Sequence, residues 1–460
     1  MKKVLHRIKR VSGVGILPFL ITVVVVFGLG LLLSSILERR NEASFKLQMA
    51  KPIGEWETDP AVWGENFPRE YGTWKEMSQT TGRTKYAGDV PFSRLEDDPR
   101  NVVLFAGYGF SKEYNEERGH TFAVEDVKKT GRKPVAGTCM TCKSSNVPKL
   151  MHDMGIEKFY GSHFDSLRPL VNHPISCLDC HDPKTMELRI SRPGLREAFT
   201  ARGMNIDQAT HQEMRTLVCA QCHVEYYFDN SNGKKNYLTF PWKNGLVIDS
   251  IVSYYEERSF KDWTHPVSKS SMLKMQHPDY ELYSTGIHAY RGVSCADCHM
   301  PYMTQGGVKI SDHHLKSPLK NIQNSCAVCH RWSEEEVKGR VEKIQDKTRE
   351  LMDRAEIAIV DAHNTIAQAI AAGVDSVKLT DARHKVRLAQ ARWDFISAES
   401  SMGFHSPQEA ARVLGAATDL GRQAQLAALT AMSGQKLVEP MLLDREKPIV
   451  AKSATKSTTR

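Results

Sequence analysis

The ten cysteines of the chain fall into five pairs, each with two residues between: Cys139/Cys142, Cys177/Cys180, Cys219/Cys222, Cys295/Cys298 and Cys326/Cys329. None is left over, which argues against a general disulfide framework, where spacings vary. Histidine follows four of the pairs directly, at His181, His223, His299 and His330. Two thiols three positions apart can add to the two vinyl groups of one haem. The next side chain then lies under the porphyrin, where an imidazole nitrogen can ligate iron. Zinc ribbons also pair such units, but they do not need a histidine at every following position. Thioredoxin-like redox pairs do not come in fives. The spacing therefore predicts covalently bound haem c, five groups in all. The first pair ends differently, in Lys143. A protonated lysine is a poor ligand because the ammonium has no lone pair; on iron it is held as a neutral amine. A haem whose proximal ligand differs from the other four is a candidate for a special role, and it is catalytic where its opposite axial position stays open. The alternative for this pair is a stray disulfide or a degenerate site.

The elements that must hold these residues read as follows. At 460 residues, 41% hydrophobic and 25% charged, the chain has the composition of an ordinary folded protein, which sets aside disordered and collagen-like classes. Residues 1–10 carry Lys2, Lys3, Arg7, Lys9 and Arg10, and the run from Val11 to Leu37 has no charge. Roughly 20 apolar residues span a bilayer, so 1–40 is expected to be a membrane anchor with its basic end in the cytoplasm, or else an unusually long cleaved signal. Either way the rest is exported, to a periplasmic or other extracytoplasmic compartment, and the anchor would tie it to the inner membrane. Nucleic acid is then not a credible partner. Residues 41–100 read as a loop-dominated lead-in, and 41–332 as the pentahaem catalytic region, rich in Gly and Pro. No sustained alternation argues for a large sheet.

The texture changes at Ser333. Ser333 and Glu336 have the form of a capping box. Val337, Val341, Ile344, Thr348, Leu351, Ala355, Ala358 and Ala362 then follow at three- and four-residue steps, which predicts a long helix with one narrow apolar face. That face would pack inside the chain or against a second copy. Further helices are predicted over Thr380–Ala398 and from Ser406-Pro407, a serine cap with proline in the first turn. The long-helix region spans 333–437 and a tail 438–460, the part from about 447 disordered. The fold class expected is mainly α: a multihaem cytochrome c with haems packed among loops and short helices and with long C-terminal helices.

Four Cys-x-x-Cys-His units and one Cys-x-x-Cys-Lys unit in this order resemble the pentahaem cytochrome c nitrite reductases that form ammonium. The strings His223-Val-Glu225-Tyr226-Tyr227-Phe, Lys274-Met-Gln276-His277-Pro and Gly286-Ile-His288 make the resemblance specific, and it covers roughly residues 55–435. It implies second axial ligands for the four relay haems: His120 for the third, His288 for the fifth, His313 for the second and His405 for the fourth. His314 directly follows His313, so that assignment could slip by one. No histidine is assigned opposite Lys143, which leaves room for nitrite. The resemblance places the active-site roles on Arg132, Tyr226 and His277, with Arg118 the alternative arginine. It also implies Ca²⁺ held by Glu225, the carbonyls of Tyr226 and Lys274, and the side chain of Gln276, a set of oxygen donors suited to a hard cation. Here the alternative is that Glu225 pairs with a lysine. A homodimer through the long helices is implied too. The electron donor would be a membrane-bound quinol-oxidising cytochrome or a soluble carrier. Competing readings are a purely electron-transferring multihaem cytochrome, or the same enzyme class acting on hydroxylamine or sulfite. A scaffold that merely binds haem gives no reason for Lys143, Arg132, Tyr226 and His277 together.

Overall fold

A computed structural model describes residues 18–37 and 49–433 except 87, 89, 133 and 134. The basic N-terminal end and the tail therefore lie outside the described residues. The chain divides into two units, Met1–Lys51 and Pro52–Arg460. The first contains the helix Pro18–Leu37, 20 residues of mean hydropathy 2.7 with none of its side chains buried. At 1.5 Å per residue it is about 30 Å long, the thickness of a bilayer core.

The second unit is helical, with three two-stranded antiparallel hairpins its only sheets among the described residues. The expected lead-in of loops in fact contains short helices, Pro60–Gly64, Pro68–Glu76, Arg94–Asp97 and Arg100–Leu104. Proline opens the first two, where the missing N–H costs nothing, and the Asp59 carboxylate accepts the Ala61 N–H at 2.9 Å. The hairpins are short, but each ends next to residues of interest. Tyr227–Asp229 pairs with Tyr237–Thr239, Trp263–Thr264 with Ser271–Met272, and Tyr302–Gln305 with Val308–Ser311.

Three long helices close the unit: Glu334–Ala371, Thr380–Ala398 and Pro407–Ala431. The capping box forms as the sequence suggests: the Ser333 N–H donates to Glu336 Oε2 at 2.8 Å, and the Glu336 N–H to Ser333 Oγ at 3.2 Å. Ser406 occupies the cap position of the last helix, but its side chain makes no cap bond. The apolar stripe is real in its first turns, with Val337, Val341 and Thr348 buried. From Ala355 onward the helix is buried on almost every side, because the other two long helices pack against it. One core unites these helices with the segment around Phe105, where Trp393 and Trp263 pack on the Phe105 ring at 6.0 and 6.2 Å. A buried charge network makes the same join. Arg349 and Arg100 reach Asp98, Asp353 and Glu356 at 2.5–2.8 Å, so two guanidinium groups hold this acidic cluster together. Trp393 is fully buried and donates its indole N–H to Glu356 at 3.0 Å. Trp393→Ala should therefore lower the unfolding free energy by about 3–5 kcal/mol, and Ser333→Ala by only about 1 kcal/mol. Denaturant unfolding of the two variants checks the ranking.

Candidate active site

Two of the Cys-x-x-Cys units are single helical turns wound by the same local device. In Cys177–Cys180 the Ser176 N–H donates to Asp179 Oδ2 at 2.7 Å, and in Cys295–His299 the Ser294 N–H donates to Asp297 Oδ2 at 2.7 Å. The turn brings residues i and i+3, the two thiols, onto one face. Arg192 and Arg215 hold the two aspartates at 2.6 and 3.0 Å. None of the ten cysteines is in a disulfide. Side chains of different pairs also come close: Cys142 lies beside Cys222, and Cys219 beside Cys295. The first, third and fourth units are thus neighbours.

The fifth unit lies at the rim, where Cys329, Val328 and Trp332 are exposed. Its turn is intact: the Cys329 and His330 N–H groups donate to the Cys326 carbonyl at 3.1 and 2.8 Å, the local geometry that thioether attachment needs.

Histidines stand opposite four of the units. Ring centroids are 6.0 Å apart for His120 and His223, 6.3 Å for His181 and His313, 6.3 Å for His288 and His330, and 6.5 Å for His299 and His405. Two imidazoles on opposite sides of one metal, each at a metal–nitrogen distance of about 2 Å, have centroids about 6 Å apart. The spacing and the donor type therefore fit an iron-bearing macrocycle between each pair. Several Nδ1 atoms are already engaged: His181 with the Met186 carbonyl at 2.8 Å, His313 with the Ser311 carbonyl at 2.8 Å, and His223 with Asp279 at 3.0 Å. Nε2 is then the nitrogen left to face the partner ring. Burial pushes His120 down to about 3 and His181 and His299 to about 4, which keeps a lone pair available for metal. A fifth histidine pair has a different nature. His265 and His363 stack at 4.0 Å, and every ring nitrogen is taken, by Val103, the 267–268 backbone, Ser268 or Gln390. These two are core residues.

Local geometry explains how the facing histidines arrive. His313 follows the hairpin ending at Ser311, and its N–H donates to Thr73 Oγ1 at 2.9 Å. Its neighbour His314 turns away to Thr80, with Nε2 at 2.7 Å from the hydroxyl. Gly119 holds φ at +90° just before His120, a conformation glycine adopts without a Cβ penalty. Gly286, two residues before His288, lies so close to the turn bearing His405 that an added Cβ would sit 2.0 Å from the His405 carbonyl oxygen. One close approach thus sets the positions of two histidines.

The Lys143 site is built otherwise. Lys143 Nζ lies 3.1 Å from Glu117 Oε1, and the same oxygen is 3.7 Å from His277 Nε2. Lys143 first, and then His277, hold the Glu117 carboxyl well below its ordinary range. Glu117 escaped the sequence reading, which had weighed only its neighbours Arg118 and His120. Burial raises the Cys139 thiol and the Tyr226 phenol, and the Arg132 guanidinium, stacked 4.4 Å from the Phe110 ring, offsets part of both. Arg118 is instead tied to Asp126 and Glu125 and packs on Phe122. The structure therefore brings Arg132, not Arg118, to Lys143 and Tyr226. His277 lies 6.1 Å from the His223 ring, which puts it beside the third unit as well.

Beside this cluster is a group of oxygen donors. Glu225 is wholly buried; its carboxylate accepts the Tyr255 hydroxyl at 2.8 Å and the Gln276 N–H at 2.6 Å. The Gln276 amide donates to the Lys274 carbonyl at 3.3 Å. Two hairpins supply the halves of this set: Glu225 and Tyr226 just precede Tyr227–Asp229, and Lys274 and Gln276 just follow Ser271–Met272. The expected alternative, Glu225 paired with a lysine, is not what the side chains do. Lys274 Nζ goes to Asp394 at 2.8 Å, and among the described residues Glu225 has no ion pair. Burial pushes the Glu225 carboxyl well above its ordinary range, the condition that a bound hard cation relieves. Asp394, from the Thr380 helix, also accepts the Met275 N–H at 2.7 Å, so a long helix pins the 274–277 loop.

Four facing imidazole pairs with thiols beside them, on a helical scaffold with minimal sheet, define a multihaem c-type cytochrome. Residues 59–458 match the cytochrome c552 family, to which the chain belongs. It carries five covalently bound haem c groups. Similar relatives are the cytochromes c-552 of Bacteroides fragilis, 46% identical over 91% of this chain and 86% of theirs, and of Parabacteroides distasonis, 45% identical over 91% and 86%. Among solved structures, the catalytic subunit of the cytochrome c nitrite reductase of Desulfovibrio desulfuricans is 33% identical, with a TM-score of 0.79, over 83% of this chain and 88% of its own; that enzyme has two calcium sites. Asp394→Ala would leave the Lys274 ammonium buried at 1% exposure without its partner. A loss of about 3–5 kcal/mol in unfolding free energy is expected, read by denaturant unfolding.

Proposed function

We propose that the chain is an ammonia-forming cytochrome c nitrite reductase, with Lys143 marking the site of reaction. Nitrite nitrogen passes from +3 to −3, which takes six electrons and eight protons and releases two waters. The observation that carries this reading is the contrast between sites. Four units face a histidine at about 6 Å, whereas Lys143 is gathered with Glu117, Arg132, Tyr226 and His277. In this reading His120, His288, His313 and His405 are the second axial ligands of four relay haems.

Cys139, Cys142 and Lys143 would hold a haem, which would supply a redox-active iron for the reduction of nitrite. The chain's own residues do the rest. Arg132 contributes a permanent positive charge and a fork of N–H donors for an anion. His277 and Tyr226 are the proton carriers: burial pushes His277 down to about 4 and the Tyr226 phenol well above its ordinary range. Neutral imidazole and neutral phenol are therefore the resting forms at pH 7, each offering a hydrogen bond to the anion, and the imidazole a free lone pair that can take up a proton and pass it on. Glu225, the Tyr226 and Lys274 carbonyls and the Gln276 side chain would hold Ca²⁺, supplying the cation that the buried carboxylate needs and ordering Tyr226 and His277. The helix Pro18–Leu37 would anchor the enzyme on the extracytoplasmic side, where a membrane-bound quinol-oxidising cytochrome or a soluble carrier gives electrons. The long helices would pair two copies.

Turnover with a reduced dye, scored for ammonium, tests the reading. His277→Ala should lower kcat by about 10²-fold or more, and Arg132→Gln should raise KM for nitrite. Failure of the wild type to make ammonium, or equal rates in His277→Ala, refutes the assignment and leaves a cytochrome that only passes electrons. Calcium removal by a chelator should lower the rate, and Ca²⁺ should restore it where Na⁺ does not.

A further inference from the structure

Only two of the facing imidazoles have a carboxylate at the second ring nitrogen. His223 Nδ1 lies 3.0 Å from Asp279 Oδ2, and His405 Nδ1 lies 3.2 Å from Glu399 Oε2. His181, His313 and His299 face backbone carbonyls instead, at 2.8, 2.8 and 3.3 Å. The two carboxylates are held by one turn. Asp279 Oδ1 accepts the Ser400 N–H at 2.6 Å, and Glu399 accepts the N–H and hydroxyl of Ser401 at 3.0 Å each. The Ser401 hydroxyl also accepts the His405 N–H at 2.9 Å. Polar atoms of Asp279, Glu399 and His405 all lie within 4.8 Å of one another. The two carboxylates thus lie together between the imidazole of the third unit and the facing imidazole of the fourth, with an aligned hydrogen-bond partner at His223 and an ion-pair contact at His405. Glu399 is fully buried as a side chain and Asp279 nearly so.

We propose that Asp279 and Glu399 set the reduction potentials of the third and fourth haems, holding both below that of the second. The inference rests on the axial-ligand reading given above. A carboxylate at the imidazole N–H draws the proton towards itself and makes the ligating nitrogen a stronger donor. That favours ferric iron, which carries one more positive charge than ferrous iron, and the low local dielectric enlarges the effect. A carbonyl acts the same way with only a dipole. The placement suits the chemistry: the third unit is the one whose Cys222 meets Cys142 and whose His223 lies 6.1 Å from His277. The electron store next to the reacting site is thereby made strongly reducing. Asp279 and Glu399 are positioning and tuning residues, touching the ligands and not the substrate.

Redox titration of the haem-loaded protein, followed by optical and electron-resonance spectra, tests this. Asp279→Asn should raise the potential of one low-spin haem and Glu399→Gln that of another, both leaving the second haem unmoved, while Asp279→Glu restores the wild-type value. His120→Ala, which removes the proposed distal ligand of the third haem, should turn that haem high-spin and so identify its signal. Unchanged potentials in both carboxamide variants, with His120→Ala high-spin, overturn the inference alone. An unchanged count of low-spin haems in His120→Ala overturns the ligand reading and this inference with it. Should Asp279→Asn fail to mature, Glu399→Gln decides by itself, because it acts at a different haem.

Discussion

A relay haem closed on both faces needs one donor from the chain on each, about 6 Å from ring to ring. That constraint organises the unit from Pro52 onward. Cys-x-x-Cys-His supplies one face from a local turn, and the other face must come from elsewhere in the chain. His120 stands 103 residues before its partner His223, His313 comes 132 after His181, and His405 comes 106 after His299. Short helices, two-stranded hairpins and close glycine contacts suffice as scaffold because each has one job: to deliver a donor to a place. A large sheet would impose a regular spacing that these sites do not have.

The long C-terminal helices answer a second need. Loops that carry ligands expose backbone and have few contacts of their own, so something rigid must hold them. Asp394 on the Thr380 helix pins Lys274 and Met275, the Glu399–His405 turn connects that helix to the next, and Arg349 and Glu356 clamp the segment around Arg100. The apolar stripe read as a possible contact between chains is covered from Ala355 onward inside the chain. Pairing of two copies would therefore use the outward face, where Ile357 and Leu426 are exposed.

Much of this was legible because it is local. Cysteine spacing, the histidine that follows, the Ser333 capping box and the helix starts at proline are all set within a few residues. The facing histidines were named from a family resemblance, and the side chains bring each of those four to its partner. What the sequence withheld is what depends on long-range packing. The four Cys-x-x-Cys-His units are alike as text, yet distant parts of the chain set which histidine faces each. His313 and His314 are equivalent too; they differ only because Thr73 and Thr80 draw them in different directions. Arg118 and Arg132 are both basic residues near a glycine, and Asp126 decides between them by occupying the first. Glu117, Asp279, Glu399 and Asp394 carry no signal at all, since a single acidic residue among 54 is ordinary until a buried imidazole or ammonium is found against it.

Those acidic residues change how the charge of the chain is understood. The sequence shows an excess of 62 basic over 54 acidic side chains, which alone would suggest a basic surface. The haems bring two propionates each, which more than cancels it. Inside, charge is placed one group at a time against a specific opposite: Asp279 at His223, Glu399 at His405, Asp394 at Lys274. Glu225 and its neighbour Glu281 are exceptions among the described residues, buried carboxylates bonded only to neutral donors. A buried carboxylate without a cation is costly, a cost that a divalent cation at Glu225 would relieve. The same reasoning explains why Lys274 itself is not that partner: Asp394 already holds its ammonium inside a cage of Phe105, Phe110 and Tyr114 rings at about 5 Å.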